Sequence, residues 1–269
     1  MPLIALLIDL DDTLLIEYAS ADEAFHQACL LAHKRHGVHP DRLHETARRT
    51  AGALWYAAPA HEYAAAIGIS SWEALWACFE GNHHPALATL RAYAPTYRRQ
   101  VWRQSLAAHG IHDPALADAM SQHFQDVRRT LHVVYPDVRP ALEALAAHYR
   151  LGLVTNGLAC LQREKLAASG LGGYFQSVTV AGDVGVRKPD PAVFRQALAS
   201  LGAEAAETAM VGNSLRSDIG GARAAGLRAV WANRQCEPLG DAPPPDAEIE
   251  SLDALPQTLR EMEDNDPGD

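Results

Sequence analysis

The later part of the chain alternates short apolar runs with stretches of helical periodicity, and this alternation most constrains the fold. Each of these runs follows a stretch whose apolar residues recur at helical spacing. The predicted strands lie at 151–154, 177–181, 209–212 and 227–231, and the predicted helices at 138–148, 158–169, 191–201 and 216–225. Strands that alternate with helices of this length form β-α units, which predicts an α/β fold with a parallel sheet.

An all-helical block precedes this pattern. Apolar residues at 18–131 recur at helical spacing, and none of the runs there has the character of a strand. The predicted helices lie at 20–37, 41–57, 71–79, 86–109 and 114–130. Ser20 and Glu23 form a predicted capping box, and we expect Pro95 to kink or split its helix. The apolar run at 3–8 cannot bury itself in a helical block, so we expect it to join the sheet.

These patterns divide the chain into three parts. We expect a sheet-containing core formed by 1–16 and 132–260, with the helical block at 17–131 inserted into it. The acidic segment 261–269 contains Pro and Gly near its end, and we expect it to be a frayed tail.

Composition and charge exclude several classes of protein. The chain has 269 residues with a formal net charge of -10, and 48% of its residues are hydrophobic. A net negative charge argues against nucleic acid or an anionic membrane as partner. None of the apolar runs approaches the roughly 18 residues of a membrane span, and we expect a cytoplasmic protein. The cysteine spacing fits neither a zinc site nor a compact disulfide framework, so we expect free thiols.

Polar side chains follow the ends of the predicted strands. They are Asp9 and Asp11, Thr155-Asn156-Gly157, Lys188, and Asn213 with Asp218. In open parallel sheets the ligand site lies outside the carboxyl ends of the strands, so we expect these side chains to converge there.

The residue types in this set suit a phosphate ester and a divalent cation. Carboxylates that crowd together repel each other unless a cation offsets their charge. Oxygen ligands without His or Cys favour Mg²⁺. A lysine can neutralise phosphate oxygens, one carboxylate can attack phosphorus, and a second can act as general acid and then as general base.

The polar residues lie in four motifs that resemble those of the haloacid dehalogenase-like (HAD) superfamily. The motifs are Asp9-Leu10-Asp11-Asp12-Thr13-Leu14, Thr155-Asn156-Gly157, Arg187-Lys188-Pro189-Asp190-Pro191 and Gly212-Asn213-Ser214-x-x-x-Asp218. The resemblance covers 1–15 and 133–255, about half of the chain. It implies a Rossmann-like parallel-sheet core with an inserted all-helical cap domain, which matches the position of the helical block.

The resemblance also implies a role for each motif. Asp9 would be the nucleophile that forms an aspartyl-phosphate, and Asp11 would protonate the leaving group and then activate water. Thr155-Asn156-Gly157 and the catalytic Lys188 would bind the transferring phosphoryl group. The implied Mg²⁺ ligands are Asp9, the backbone carbonyl of Asp11, Asn213 and Asp218.

The fourth motif departs from the commoner pattern of this family, which has Asp where this chain has Asn213. An amide oxygen can still ligate Mg²⁺, but it brings no charge. We therefore expect weaker metal binding or a larger role for Asp218. Direct ligation by Asp218 and ligation through water both remain open.

The leading hypothesis is a Mg²⁺-dependent phosphatase acting on a small-molecule phosphate ester. A sugar phosphate, a phosphoglycolate-like acid and a nucleotide are all compatible with it. A 2-haloacid dehalogenase is the second hypothesis, in which Asp9 would attack carbon without a metal. Asp11 argues against it, because that branch typically lacks an acid at this position. A phosphomutase and a weakly active regulatory homologue are further alternatives.

Overall fold

The computed structural model describes residues 2–81 and 84–264, and this part of the chain forms six strands and twelve α-helices. The strands are β1 (Ala5–Ile8), β2 (Arg150–Thr155), β3 (Ser177–Val180), β4 (Thr208–Gly212), β5 (Arg228–Ala232) and β6 (Ala247–Ile249). The helices are α1 (Glu17–His36), α2 (Pro40–Tyr56), α3 (His61–Ile67), α4 (Ser71–Ala74), α5 (Pro85–Ala107), α6 (Pro114–Thr130), α7 (Val138–Ala146), α8 (Ala159–Ser169), α9 (Ala181–Val184), α10 (Pro191–Leu201), α11 (Gly220–Ala224) and α12 (Leu255–Asp264).

The strands form one parallel sheet in the order β3-β2-β1-β4-β5-β6. The N-terminal strand β1 is central and pairs with both β2 and β4, so the first apolar run joins the sheet as predicted. The predicted Rossmann-like α/β class is confirmed. The sequence reading missed β6, because a three-residue strand containing the exposed Glu248 is too short to give a periodic signal.

The sheet has a buried core on each face, because side chains alternate along every strand. On one side Leu6 and Ile8 of β1 pack with Leu153 of β2. On the other side Leu7 packs with Phe194 of α10. Both faces of β1 are therefore apolar, which explains why it reads as a continuous apolar run rather than an alternating one.

The chain divides into two compact units. The sheet unit comprises Met1–Ile16 and Val133–Asp269, and the helical unit comprises Glu17–His132. In the sheet unit, Ile16 N–H donates to the carbonyl of Val133 at 2.8 Å, and Leu15 forms an antiparallel bridge with Val134. This two-stranded neck marks the point at which the helical unit is inserted.

Helix α1 is the centre of the helical unit and packs against α2 and α6. Its Phe25 ring lies 4.7 Å from that of Phe124 and 5.8 Å from that of Trp102, between ring centroids. At the start of α1, Glu17 accepts two hydrogen bonds from Arg128 Nη2, at 2.7 and 2.8 Å. Both side chains are buried, so this pair fixes the first turn of α1 against α6.

The structure corrects two predicted helix ends. The capping box predicted for Ser20 and Glu23 is wrong, because α1 begins at Glu17 and Ser20 is buried inside the helix. A capping box forms instead at Ser70 and Glu73, at the start of α4. That helix ends at Ala74, so the prediction of a helix over 71–79 is too long.

Two further features of the helical unit differ from the prediction. Helix α5 runs through Pro95 without a break. Pro95 lies on an exposed face, where water can replace the hydrogen bond that proline removes. The seven-residue α3 was not predicted, because two turns give too little periodicity to recognise.

The prediction of a frayed tail at 261–269 is wrong for its first four residues, which continue α12 to Asp264. Met262 packs against the core of the sheet unit, and Glu263 Oε1 accepts a hydrogen bond from Leu3 N–H at 2.7 Å. These contacts hold the last turn. The remaining five residues of the predicted tail lie outside the described residues.

The four cysteines are free thiols, as predicted. Burial raises the pKa of the Cys29 thiol to about 12, and the nearby Asp41 adds to the rise. Within the described residues, every helix is either too short or too polar to cross a membrane.

We predict that Arg128→Met lowers the free energy of unfolding by about 3–5 kcal/mol, because it leaves the carboxylate of Glu17 buried without its cation. The matched control is Arg103→Met, which removes an exposed pair with Asp118 at 3.6 Å and is expected to cost less than about 1 kcal/mol. Urea unfolding of both variants measures the difference. Equal losses would show that the Glu17–Arg128 pair stabilises no more than a surface pair does.

Candidate active site

Polar side chains gather at the carboxyl ends of the neighbouring strands β1, β2 and β4. Asp9 directly follows β1, Thr155 is the last residue of β2, and Asn213 directly follows β4. Lys188 lies between α9 and α10 and brings its ammonium group to the same edge. The structure therefore brings these predicted site residues together, because parallel strands end on one side of the sheet.

Lys188 lies between two carboxylates. Its Nζ is 2.6 Å from Asp9 Oδ1 and 2.6 Å from Asp218 Oδ1, and it donates to the carbonyl of Val154 at 2.9 Å. The Lys188 side chain is 2% exposed and that of Asp218 is 1% exposed. Burying an ammonium ion is unfavourable without opposite charge, so these carboxylates are what allows Lys188 to lie inside the protein.

Burial shifts the pKa values of this cluster. It raises the pKa of the Asp9 carboxyl to about 7, against the opposing effect of Lys188, and the nearby Asp218 adds to the rise. Burial by itself would lower the pKa of the Lys188 ammonium, but Asp218 and Asp9 outweigh burial and hold that pKa above its usual value. The site thus contains the charged Lys188 beside the Asp9 carboxyl group. Further positive charge close to Asp9 would favour its ionised form.

Thr13 orients the second oxygen of Asp9. The buried Thr13 hydroxyl lies 3.1 Å from Asp9 Oδ2 and 3.4 Å from Asn213 Oδ1, and it accepts a hydrogen bond from Asn213 N–H at 3.1 Å. One Asp9 oxygen therefore faces Lys188 and the other faces Thr13. Thr13 lies within the first motif, but no role was predicted for it from the sequence. Its place four residues after Asp9 is the signal that could have identified it.

The fourth motif needs a glycine to bring Asp218 to Lys188. A Cβ atom on Gly212 would lie 2.4 Å from Asp218 Cγ, which is far inside van der Waals contact. Asp218 Oδ2 accepts a hydrogen bond from Ser214 N–H at 2.9 Å, while Oδ1 faces Lys188. Both carboxylate oxygens of Asp218 are thus engaged within the protein.

The second motif supplies one hydroxyl and one positioning amide. Asn156 Oδ1 accepts from Lys188 N–H at 2.8 Å and Asn156 Nδ2 donates to Lys188 O at 3.4 Å, so this side chain holds the lysine backbone. Thr155 Oγ1 accepts from Gln162 Nε2 at 2.7 Å. Gly157 has φ of +108°, and a Cβ there would lie 3.3 Å from Gln162 Cδ. Asn156 therefore contributes to the site by holding the backbone of Lys188, and Gly157 leaves room for the side chain of Gln162.

Two residues of α8 contact Asp11, and sequence reasoning missed both. Lys165 Nζ lies 3.0 and 3.1 Å from the two Asp11 oxygens, and Gln162 Nε2 donates to Asp11 Oδ2 at 2.8 Å. Both side chains are buried. They are three residues apart on one helix face, directly after the second motif, and polar residues at that spacing usually indicate a solvated face.

The donor set fits a hard cation such as Mg²⁺. Asp9 Oδ2 and Asn213 Oδ1 face the same Thr13 hydroxyl, and both are oxygen donors of the kind that Mg²⁺ prefers. Asp218 fits less well as a direct ligand, because it is almost wholly buried and paired with Lys188. Across 2–81 and 84–264, the His, Cys, Asp and Glu side chains form no ready-made cluster of three or more around a metal position.

Comparison with known proteins identifies the family of the chain. The model of the haloacid dehalogenase-like hydrolase family matches residues 5–226. The chain belongs to this family. It is 38% identical over 248 residues to the phosphoserine phosphatase of Thermus thermophilus, covering 92% of this chain and 95% of that protein. It is 36% identical over 155 residues to the glyceraldehyde 3-phosphate phosphatase of Methanopyrus kandleri, covering 56% and 66% respectively.

Solved structures show the same fold. A 2-haloacid dehalogenase from Pseudomonas syringae pv. Tomato DC3000 superposes with a TM-score of 0.59 at 27% identity, covering 96% of this chain and 99% of that one. A HAD phosphatase from Thermococcus onnurineus gives the same TM-score and identity, covering 96% and 98%. Structural similarity alone therefore does not distinguish a dehalogenase from a phosphatase. That distinction depends on the residues of the site.

We predict that Gly212→Ala lowers the free energy of unfolding by about 1–3 kcal/mol, because the new methyl group overlaps the buried carboxylate of Asp218. Gly52→Ala is the matched control, since no heavy atom lies within 4 Å of its added methyl group and it is on α2. Alanine in a helix is expected to stabilise by about 0.5–1 kcal/mol relative to glycine. The midpoint of thermal unfolding should fall in Gly212→Ala and rise in Gly52→Ala. A Gly212→Ala variant as stable as the wild type would contradict the close approach of Asp218 to Gly212.

Proposed function

We propose that this chain is a Mg²⁺-dependent phosphatase that hydrolyses a small phosphomonoester through a phosphoryl group carried on Asp9. The observation that supports this best is the pair of carboxyl groups, each held by a different buried lysine. Asp9 faces Lys188, and Asp11 faces Lys165. One group is held as a nucleophile and the other as a proton donor and acceptor, which are the two roles that phosphoester hydrolysis requires.

In the first step an Asp9 oxygen attacks phosphorus and the bond from phosphorus to the ester oxygen breaks. The carboxylic acid of Asp11 gives its proton to the departing oxygen, which leaves as an alcohol. Lys188 and the hydroxyl of Thr155 contact the phosphoryl oxygens and offset their charge. The products of this step are the free alcohol and an aspartyl-phosphate on Asp9.

In the second step water attacks the same phosphorus atom. Asp11, now a carboxylate, takes a proton from this water, and the bond between phosphorus and Asp9 breaks. Inorganic phosphate and the Asp9 carboxylate are released, and Asp11 is again a carboxylic acid. Lys188 remains beside Asp9 throughout, so the leaving carboxylate returns to the same ion pair.

Asp9, the backbone carbonyl of Asp11 and Asn213 would hold Mg²⁺, which when bound supplies positive charge to the phosphoryl oxygens. Asp218 has a different proposed role. Its two oxygens engage Lys188 and the backbone of Ser214, so it positions the lysine. For this reason we propose Asn213 as the direct ligand from the fourth motif.

The names of the relatives and the placement of Asp11 support the proposed substrate class. Phosphoserine and glyceraldehyde 3-phosphate, named in the activities of two relatives, are small phosphate esters of aliphatic alcohols. An alkoxide is a poor leaving group, and a positioned acid such as Asp11 is what it needs. O-phosphoserine is the first substrate to test, because that relative matches along 92% of this chain.

The two units have distinct proposed roles. The sheet unit contains every residue of the proposed chemistry and would be the catalytic core. The helical unit would be a cap domain, the role that the resemblance implies for an insertion at this place. We propose a cytoplasmic enzyme with neither nucleic-acid nor membrane partners, in keeping with its formal net charge of -10.

We predict that the wild-type chain releases phosphate from 4-nitrophenyl phosphate and O-phosphoserine with Mg²⁺ and not with a chelator. Asp9→Asn should lower this turnover by about 10³-fold or more, because it removes the attacking oxygen anion. The matched control is Asp12→Asn, three residues further on. Asp12 has φ of +56°, a backbone conformation that asparagine also tolerates.

Asp12→Asn is expected to retain turnover within about 3-fold of wild type. Phosphate release that persists in Asp9→Asn would contradict the proposed nucleophile. Halide release from 2-chloropropionate, without phosphate release from either ester, would replace the phosphatase with the dehalogenase.

We also predict that Asn213→Asp tightens Mg²⁺ binding by about 10-fold, because it adds a negative charge beside Asp9. Isothermal titration of Mg²⁺ into the wild type and the variant measures this directly. Ser214→Ala is the control, since its backbone N–H still binds Asp218. Unchanged affinity in Asn213→Asp would show that this side chain does not contact the metal.

A further inference from the structure

Asp11 is the partly exposed end of a buried polar network. Its side chain is 25% exposed, whereas the Lys165 side chain that contacts both of its oxygens is 0% exposed. A buried ammonium needs oxygen partners for its N–H groups, and both Asp11 oxygens lie within hydrogen-bond distance of it. The carboxyl group therefore cannot rotate freely without separating this pair.

Gln162 connects the same carboxyl group to the phosphate-binding motif. Its Nε2 donates to Asp11 Oδ2 at 2.8 Å and to Thr155 Oγ1 at 2.7 Å. An amide nitrogen has two hydrogens, so one group can serve both acceptors at once. The absence of a side chain on Gly157 leaves the space that Gln162 occupies.

Both polar residues of this network belong to α8. Gln162 and Lys165 are three residues apart, so both project from the same helix face. Leu161 and Leu166 of the same helix are buried. The two polar groups are thus fixed to a packed helix rather than to a loop, and a packed helix holds side chains within narrow limits.

We propose that Lys165 and Gln162 are positioning residues that fix the Asp11 carboxyl relative to the Thr155 hydroxyl, and so enable the site to cleave esters with poor leaving groups. This inference rests on the proposed phosphatase function. Lys165 and Gln162 contact Asp11 and would act through it, without touching the reacting atoms.

The proposal has a specific kinetic consequence. A 4-nitrophenolate ion leaves phosphorus without needing a proton, whereas a 4-methoxyphenolate ion benefits from one. Both esters have nearly the same shape. A misplaced Asp11 should therefore slow cleavage of the 4-methoxyphenyl ester more than cleavage of the 4-nitrophenyl ester, while a general loss of structure should slow both equally.

The test measures kcat/KM for these two aryl phosphates in wild type, Lys165→Met and Gln162→Leu. The ratio of the 4-nitrophenyl to the 4-methoxyphenyl value should rise by about 10-fold or more in both variants, a part of the 10²–10⁴-fold typical of general acid catalysis. With the 4-nitrophenyl ester, kcat and KM should fall together, because the second step, in which Asp11 accepts a proton, becomes slow.

Arg163→Met is the matched control. Arg163 lies on α8 between the two positioning residues, is exposed and pairs with Asp183 at 2.6 Å. It should keep the wild-type ratio. Asp11→Asn gives the reference value for complete loss of the proton donor, and the two positioning variants should fall between it and the wild type.

Each result has a definite meaning. A wild-type ratio in Gln162→Leu, or equal losses on both esters in Lys165→Met, overturns the positioning role. If Lys165→Met does not fold, as judged by thermal unfolding, Gln162→Leu decides alone. Wild-type protein that cleaves neither ester contradicts the proposed phosphatase itself, which is a separate outcome.

Discussion

The buried ammonium group of Lys188 is the constraint on which the rest of the site depends. It takes its charge compensation from Asp9 after β1 and from Asp218 after β4, and its backbone is held by Asn156 after β2. Three neighbouring strands thus contribute to the placement of one side chain. Removing Asp9 or Asp218 would leave the ammonium with a single carboxylate, and removing Asn156 would release the backbone that carries the lysine.

Several local features follow from that arrangement. Gly212 has no side chain because the carboxylate of Asp218 must pass close to it. Thr13 is buried because the second oxygen of Asp9 needs a hydrogen-bond partner that leaves Lys188 undisturbed. A second buried lysine, Lys165, contacts Asp11 in the way that Lys188 contacts Asp9. The site is therefore built from two carboxyl groups whose orientations are set by separate lysines.

The sequence predicted the sheet and the clustering of polar groups because both depend on short-range patterns. Apolar runs buried on both faces identify strands, and parallel strands bring their carboxyl ends together. Gln162 and Lys165 were missed because polar residues at helical spacing normally face solvent, and only tertiary packing reveals that this face is buried. The kink predicted at Pro95 was wrong for a similar reason. A helix tolerates proline where water can reach the helix face that carries it, and only tertiary packing shows which face that is.

The hydrogen-bonded neck at Ile16 and Val133 bears on how such a chain can change over evolutionary time. The backbone leaves and re-enters the sheet unit at adjacent positions, so the loop-closure entropy of the sheet unit depends only weakly on what lies between them. Segments of different length and sequence could be exchanged there without altering the strands that hold the chemistry. A new helical unit could thus be acquired by replacing one stretch of the gene, with a crossover at each side of the neck and no change to the strands.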